Sequence, residues 1–335
     1  FIMHLKYNLS KKILGWYDNN KRSLPWRVSK KSNKKLYYRL LSEFMLQQTQ
    51  VKTVIPYFNN FTKKYKTLKD LSKSNESEVL KMWEGLGYYR RAKNLLACSK
   101  QLVESHKSKL PKTLKEIKKL PGIGDYTGNA LLGLVYNRPT IAIDGNVKRV
   151  FSRYLNKEVL KINFENLIIK NKKKLFKTNR HADFVEALME FGALVCKPKD
   201  PNCITCCLNK SCKYLKSTSK IQNSSKKMIK DRNYDIFCYL NKKKQIALTK
   251  KNQISFLKNF NLPIVKESDG LLKNNNWKFL KNYKNTISNL RLNINLYYKF
   301  TKNIPTTYNW YSLKNNKEFI PSFTKKIFQQ VLILF

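Results

Sequence analysis

Leu120-Pro121-Gly122-Ile123-Gly124-Asp125-Tyr126-Thr127-Gly128-Asn129-Ala130 reads as a tight turn joining two helical segments. Gly122 and Gly124 let the backbone turn sharply and let a ligand approach with no Cβ in the way. Successive amides in such a turn, with the N-terminus of the helix that follows, form a nest for a phosphate oxygen. A Pro-Gly-x-Gly run alone fits an ordinary turn between helices. With Thr127 and Ala130 behind it, the stretch is expected to be a helix–hairpin–helix clamp spanning about 113–134. Such a clamp grips the phosphate backbone of a duplex and carries no base preference of its own.

On either side of the hairpin stands one carboxylate in an informative setting. Downstream, Thr140-Ile141-Ala142-Ile143-Asp144-Gly145-Asn146-Val147-Lys148-Arg149 sets Asp144 between an apolar stretch and a helix, where a plain N-cap also explains it. Upstream, Leu41-Ser42-Glu43-Phe44-Met45-Leu46-Gln47-Gln48-Thr49-Gln50 puts Glu43 inside an apolar helix. An acid among hydrophobes holds its proton to higher pH, which suits a general acid. One neutral and one ionised carboxyl is the pair that breaks a glycosidic bond: the first protonates the leaving group and the second stabilises the cationic sugar.

Further along, Cys196-x6-Cys203-x2-Cys206-x5-Cys212 concentrates four thiols in a lysine-rich segment after a helix-like run, Asp183 to Val195. Soft sulfur ligands at such spacing suit zinc or an iron–sulfur cluster. The absence of paired CxxC motifs and of a nearby histidine favours [4Fe-4S]. Seven cysteines in 335 residues are too sparse for a disulfide scaffold. The expectation is a tetrathiolate [4Fe-4S] site at 196–212.

The formal charge of +47 points to a polyanionic partner. Runs such as Asn171-Lys172-Lys173-Lys174 also fit an AT-rich coding sequence, so charge alone does not decide. No apolar run reaches membrane-span length, and Phe1–Leu14 alternates too often for a signal peptide. The expected setting is the cytoplasm, associated with the nucleoid, with no membrane partner and a monomeric chain.

Apolar residues recur at helical spacing through the first two-thirds, as in Val147-x2-Val150-Phe151-x2-Tyr154-Leu155. Beyond Cys212 the texture changes. A Ser/Lys-rich stretch precedes β-like runs at Tyr234–Leu240, Gln245–Thr249 and Leu292–Tyr298, and Phe323–Leu334 reads as a closing helix. The expected division is a mainly helical domain over 1–216, a linker at 217–231 and a smaller α/β domain over 232–335.

In this order, hairpin, Asp144 and cysteines resemble the helix–hairpin–helix, endonuclease III-like DNA glycosylases that carry an iron–sulfur cluster, and within them the adenine-specific branch. The resemblance runs from about Leu14 to Cys212. It includes Leu24-Pro25-Trp26-Arg27, Met45-Leu46-Gln47-Gln48-Thr49-Gln50-Val51, Glu84-Gly85-Leu86-Gly87-Tyr88-Tyr89-Arg90-Arg91-Ala92 and Ile143–Arg149. The lyase branch places a catalytic lysine where this chain has Tyr126, and lacks the glutamate found here at Glu43. The resemblance thus implies a monofunctional enzyme that flips adenine out of an A:8-oxoguanine or A:G pair and hydrolyses its glycosidic bond. A bifunctional glycosylase/lyase and a non-catalytic DNA-binding scaffold are the alternatives.

By that resemblance Glu43 protonates the adenine, at N7, and later helps activate water. Asp144 stabilises the cationic sugar or forms a transient covalent bond to it, with Tyr126 and Asn146 orienting Asp144 and the sugar. Gln48 and Tyr88 insert beside the oxidised guanine, and Leu86 and Thr49 touch it. Arg22 and Glu186 contact the adenine. Gly122 and Gly124 meet the DNA backbone, and Lys148 contacts a phosphate or traps the abasic product, without a catalytic role. Three departures stand out. Cys207 replaces a proline after the third expected ligand, and an insertion within Val28–Lys35 lengthens a loop. The C-terminal domain fits a Nudix-like 8-oxoguanine recognition frame only weakly: the family's Phe-Ser-His turn reads Ile287-Ser288-Asn289, so Ser288 alone is kept.

Overall fold

A computed structural model describes residues 9–29, 31–157, 166, 177–218, 229–252, 254, 257–268, 276–287, 290–314, 316 and 318–335. The chain divides into two compact units. Phe1–Glu76 with Tyr88–Ser224 makes the first, and Ser77–Gly87 with Ser225–Phe335 the second. Of the expected linker, 219–228 lies outside the described residues, as does Ser288.

The first unit is helical. Its elements are α1 (Leu9–Asn20), α2 (Lys35–Leu46), α3 (Val51–Lys64), α4 (Leu68–Ser72), α6 (Arg90–His106), α7 (Leu114–Ile117), α8 (Asp125–Tyr136), α9 (Gly145–Leu155), α10 (His181–Leu194) and α11 (Lys213–Lys216). The helix α5 (Glu76–Met82) begins at the boundary of the two units. Helix α2 carries apolar residues almost all round, and Leu40, Leu41, Phe44 and Met45 are fully buried. A helix of that kind belongs in a core, so Glu43 is buried by its neighbours' packing. One core cluster joins Ile13 and Tyr17 of α1 to Val147 and Phe151 of α9 and to Phe184, Leu188 and Phe191 of α10. Helix α10 thereby sets Glu186 against Tyr17 of α1 and Arg39 of α2.

The hairpin forms as its sequence predicts locally. Thr113 caps α7 by accepting from the Glu116 amide, and α8 starts directly after Gly124. Gly122 sits at φ +77°, where a Cβ would lie 2.7 Å from the Asn94 Cβ and 2.8 Å from the Phe44 ring. Both conformation and space exclude a side chain there.

The second unit holds one mixed sheet of strands β1 (Lys230–Asn241), β2 (Gln245–Leu248), β3 (Ile264–Glu267), β4 (Lys278–Ile287), β5 (Leu290–Phe300) and β6 (Asn309–Ser312). The order is β4-β5-β1-β2-β6, with β3 also paired to β1. Strands β1 and β5 run parallel from Lys230↔Leu290 to Leu240↔Phe300. Helix α12 (Ser322–Val331) lays Phe323, Ile327, Phe328 and Val331 against Ile236, Leu240, Leu292 and Leu296, a single side of the pleat. The opposite side carries a ring cluster, with Phe237 stacked on Tyr297 at 5.0 Å. This corrects the expected Nudix-like frame. The described residues show a sheet with a helix packed on one side and aromatic rings on the other, and no Nudix fold is indicated.

The cysteine segment requires a second correction. Among the described residues no group of three or more His, Cys, Asp or Glu side chains is placed to hold a metal ion. Cys196, Cys203, Cys206 and Cys212 are free thiols. Cys196, Cys206 and Cys212 pack, with Cys207, against the core of α1, α9 and α10. Burial pushes the Cys206 thiol up to about 11 and raises that of Cys212 as well. Apolar surroundings of this kind favour the neutral thiol. Their sulfurs have protein partners: Cys196 Sγ accepts from Arg153 Nη1 at 3.6 Å, Cys206 Sγ from the Leu208 amide at 3.4 Å, and Cys212 donates to the Arg153 carbonyl at 3.6 Å. The described residues do not fit a [4Fe-4S] cluster.

Candidate active site

Helices α2, α8, α9 and α10 converge on a cavity of about 470 Å³ whose wall includes Glu43, Tyr126, Asp144, Asn146, Glu186 and Glu190. Glu43 projects from the third turn of α2 and is 5% exposed. Burial pushes its carboxyl up to about 7, with Asp144 adding in the same direction, against the Arg39 charge and a hydrogen bond from Tyr126. Tyr126, in the first turn of α8, also has Met189 Sδ at 3.3 Å, a second acceptor for its one phenolic proton. Burial and the neighbouring carboxylates keep its phenol protonated.

Asp144 is the N-cap of α9, and the capping and reactive readings meet in one side chain. Oδ1 accepts from the Val147 amide at 2.7 Å and Oδ2 from Asn146 Nδ2 at 2.8 Å. Burial raises its carboxyl from the ordinary value, while those donors and the Arg149 guanidinium work the other way. Bonds to the charged form favour it. Asn146 is itself held, since Arg149 Nη2 donates to its Oδ1 at 2.7 Å. Two carboxyls on one cavity therefore have unlike surroundings: Glu43 a dry helix core, Asp144 a ring of donors.

A buried ionic network forms the far wall. Arg22 meets Glu190 through Nε at 2.8 Å and Nη2 at 2.7 Å, and Arg27 Nη2 meets the same carboxylate at 3.0 Å. Burial opposes ionisation of Glu190, yet these bonds hold its carboxyl down at about 2. Glu186 accepts from Tyr17 and pairs with Arg39 and, at 3.3 Å, with Arg27 Nε. The expected adenine contacts, Arg22 and Glu186, thus stand on the cavity wall, each already paired to protein.

Of the remaining expected contacts, Thr49 lines the same cavity and the others lie elsewhere. Gln48 is exposed at φ +57° and Tyr88 is 44% exposed at φ +48°. Thr49 is half-buried, and Leu86 is buried within the second unit. Gly124 has open space where a Cβ would be. Lys148 is half-buried on the first turn of α9.

Sequence reading missed Arg39, Glu190 and Gly192. The four-residue spacings of Arg39 with Glu43 and of Glu186 with Glu190 were visible as shared helix faces. Nothing in the chain marked Gly192, where a Cβ would lie 2.6 Å from the Asn146 Cβ. Its lack of a side chain lets α10 approach the residue that holds Asp144.

With this geometry in place, the class follows. Residues 41–167 match the model of the HhH-GPD superfamily of base excision DNA repair proteins. A thermostable thymine-DNA glycosylase of known structure superposes with a TM-score of 0.56 at 28% identity, over 62% of this chain and 94% of that one. An endonuclease III–DNA complex shares the fold at TM-score 0.50 and 20% identity, over 62% of this chain and 94% of its own. Within that class, the chain is 34% identical over 321 residues to the adenine DNA glycosylase of Buchnera aphidicola subsp. Baizongia pistaciae, covering 90% of each. Against the adenine DNA glycosylase of Buchnera aphidicola subsp. Schizaphis graminum it is 32% identical over 346 residues, covering 96% of this chain and 98% of the relative. The chain belongs to the adenine DNA glycosylase family. Among the described residues no helix is long and apolar enough to cross a membrane.

Proposed function

We propose that Glu43 and Asp144 are the acid and the cation-stabilising carboxylate with which this chain excises adenine from A:8-oxoguanine and A:G mispairs. The observation that carries the assignment is the pairing of unlike environments on one cavity: Glu43 held at about 7 by burial, and Asp144 ringed by Val147, Asn146 and Arg149. A flipped nucleotide is required, because the glycosidic bond cannot be reached within the stack. The Glu43 carboxyl gives its proton to a ring nitrogen of adenine. The C1′–N9 bond then breaks with its electron pair leaving on the base, and the Asp144 carboxylate faces the cationic sugar. Water adds to C1′, and its proton returns to the Glu43 carboxylate. The sum is hydrolysis, with no covalent lysine adduct.

Tyr126 supports this reading through its bond to Glu43, and Asn146 through its bond to Asp144. The open space over Gly124 and the α8 N-terminus beside it suit a DNA phosphate. In this proposal the helical region, 1–216, carries the chemistry, and Gln48, Thr49, Leu86, Tyr88, Lys148 and Ser288 meet the duplex. One copy of the chain serves one lesion.

The test is single-turnover nicking of duplexes carrying one A:8-oxoguanine, A:G or A:T pair, with alkali added afterwards. Alkali-dependent cleavage at the mispaired adenine, lost in Glu43→Gln and in Asp144→Asn, is the expected result. Cleavage without alkali, or full activity in either variant, would overturn the assignment.

A further inference from the structure

Arg91, the second residue of α6, is a large cation buried outside the lining of the candidate cavity. It is 7% exposed. Its Nη1 donates to the carbonyls of Phe44, Met45 and Gln47 at 3.2, 2.7 and 2.5 Å, and its Nη2 to Thr49 Oγ1 at 3.1 Å. These are the groups that α2 leaves unpaired at its C-terminus, together with the turn that follows. A cation there is also favoured by the helix dipole. On its other side the guanidinium lies 5.4 Å from the centroid of the Tyr88 ring, and its own amide donates to the Tyr88 carbonyl at 2.9 Å.

Gln48 lies between Gln47 and Thr49, which the guanidinium holds on either side of it, and both Gln48 and Tyr88 are non-glycine residues in left-handed backbone. That conformation is strained for a residue with a side chain and persists only where the surroundings enforce it. Three carbonyls, a hydroxyl and a ring on one planar fork supply that enforcement. A lysine, with its single charged nitrogen, cannot span the same set.

We propose that Arg91 is the positioning residue of the DNA-distorting wedge: it locks the Gln48 and Tyr88 turns together so that both side chains enter the duplex as one rigid unit. This rests on the reading that Gln48 and Tyr88 contact DNA. Arg91 itself touches neither base nor sugar. Its loss should slow the extrusion of adenine and leave recognition of DNA that is already opened unaltered.

The experiment combines Arg91→Met, Arg91→Lys, Gln48→Ala, Tyr88→Ala and the Arg91→Met/Gln48→Ala double variant in the full chain. Three readouts are taken: thermal midpoint, affinity for a duplex with an abasic-site analogue opposite 8-oxoguanine, and single-turnover excision from A:8-oxoguanine. Arg91→Met is expected to slow excision tenfold or more, with abasic-duplex affinity within twofold of the parent. In the Gln48→Ala background it should slow excision by less than a further twofold. Arg91→Lys, which keeps the charge and loses the fork, should fall between and stands in if Arg91→Met fails to fold. Multiplying effects in the double variant, or equal losses of excision and abasic-duplex affinity, would overturn the Arg91 proposal alone. Full excision in both Gln48→Ala and Tyr88→Ala would remove the DNA-contact reading, and the wedge with it.

Discussion

Replacing Glu43 by glutamine should make the protein more stable at alkaline pH while destroying its activity. The carboxyl titrates at about 7 in the folded chain, chiefly because it is buried, against an ordinary value of 4.5. At about 1.4 kcal/mol per unit, the gap corresponds to about 3 kcal/mol. The sign follows from the direction of the shift. A raised carboxyl is most compatible with folding when protonated, so its cost is negligible below pH 4.5, grows between 4.5 and 7, and is complete above 7. Glutamine has the shape of the neutral acid and never ionises. Urea unfolding of the helical unit, followed by far-ultraviolet circular dichroism, measures the difference. Glu43→Gln should exceed the parent by about 3 kcal/mol at pH 8 and match it to within about 0.5 kcal/mol at pH 4.5. Excision should fall by roughly 10²–10⁴, the usual contribution of a positioned general acid. An equal stability difference at the two pH values would refute the reasoning, since it would show that Glu43 is no more costly ionised than neutral.

Arg39→Met removes the charge that opposes burial at Glu43 and leaves Glu186 without one of its two arginines, so both changes raise the Glu43 carboxyl. The alkaline limb of the single-turnover pH profile should move upward by about one unit; a downward move would contradict the network. Gly192→Ala places a methyl 2.6 Å from the Asn146 Cβ. It should cost about 1–3 kcal/mol of stability and slow excision, read by thermal midpoint and nicking together. Two hairpin glycines should separate cleanly in the same assays. Gly122→Ala, at φ +77° with Asn94 and Phe44 in the way, should destabilise the fold by about 1–3 kcal/mol. Gly124→Ala meets no protein atom within 4 Å, so its thermal midpoint should hold. Its duplex affinity should drop, and the salt dependence of binding should flatten.

Some of this protein was legible in the linear chain because the information is local. The Pro121–Gly124 turn needs a residue that tolerates positive φ, and the structure finds that requirement at Gly122. Asp144 before a helix reads as a cap at any level of description, and it caps α9. The apolar run around Glu43 announces a buried acid, because a helix that is hydrophobic on all sides has no wet face to offer it. The alternation in Leu292–Leu296 likewise marks a strand with one dry face, and those residues pack beneath α12.

What tertiary structure decided is where side chains from distant segments end up. Spacing along the chain suggests that four cysteines share one cluster, but spacing does not set the direction of a sulfur, and Cys196, Cys206 and Cys212 pack half-buried against the core of α1, α9 and α10. Periodicity marked a sheet in the last hundred residues without revealing that β1 and β5 run parallel, since register depends on which edges meet. Arg22, Arg27 and Arg39 carry no local sign of being fixed to Glu186 and Glu190, more than a hundred residues away in each case. The acidity of Glu43 is the sharpest example. Residue type gives a carboxyl its ordinary value, whereas the folded packing around it removes the water that would stabilise its charge, and only the assembled helices supply that environment.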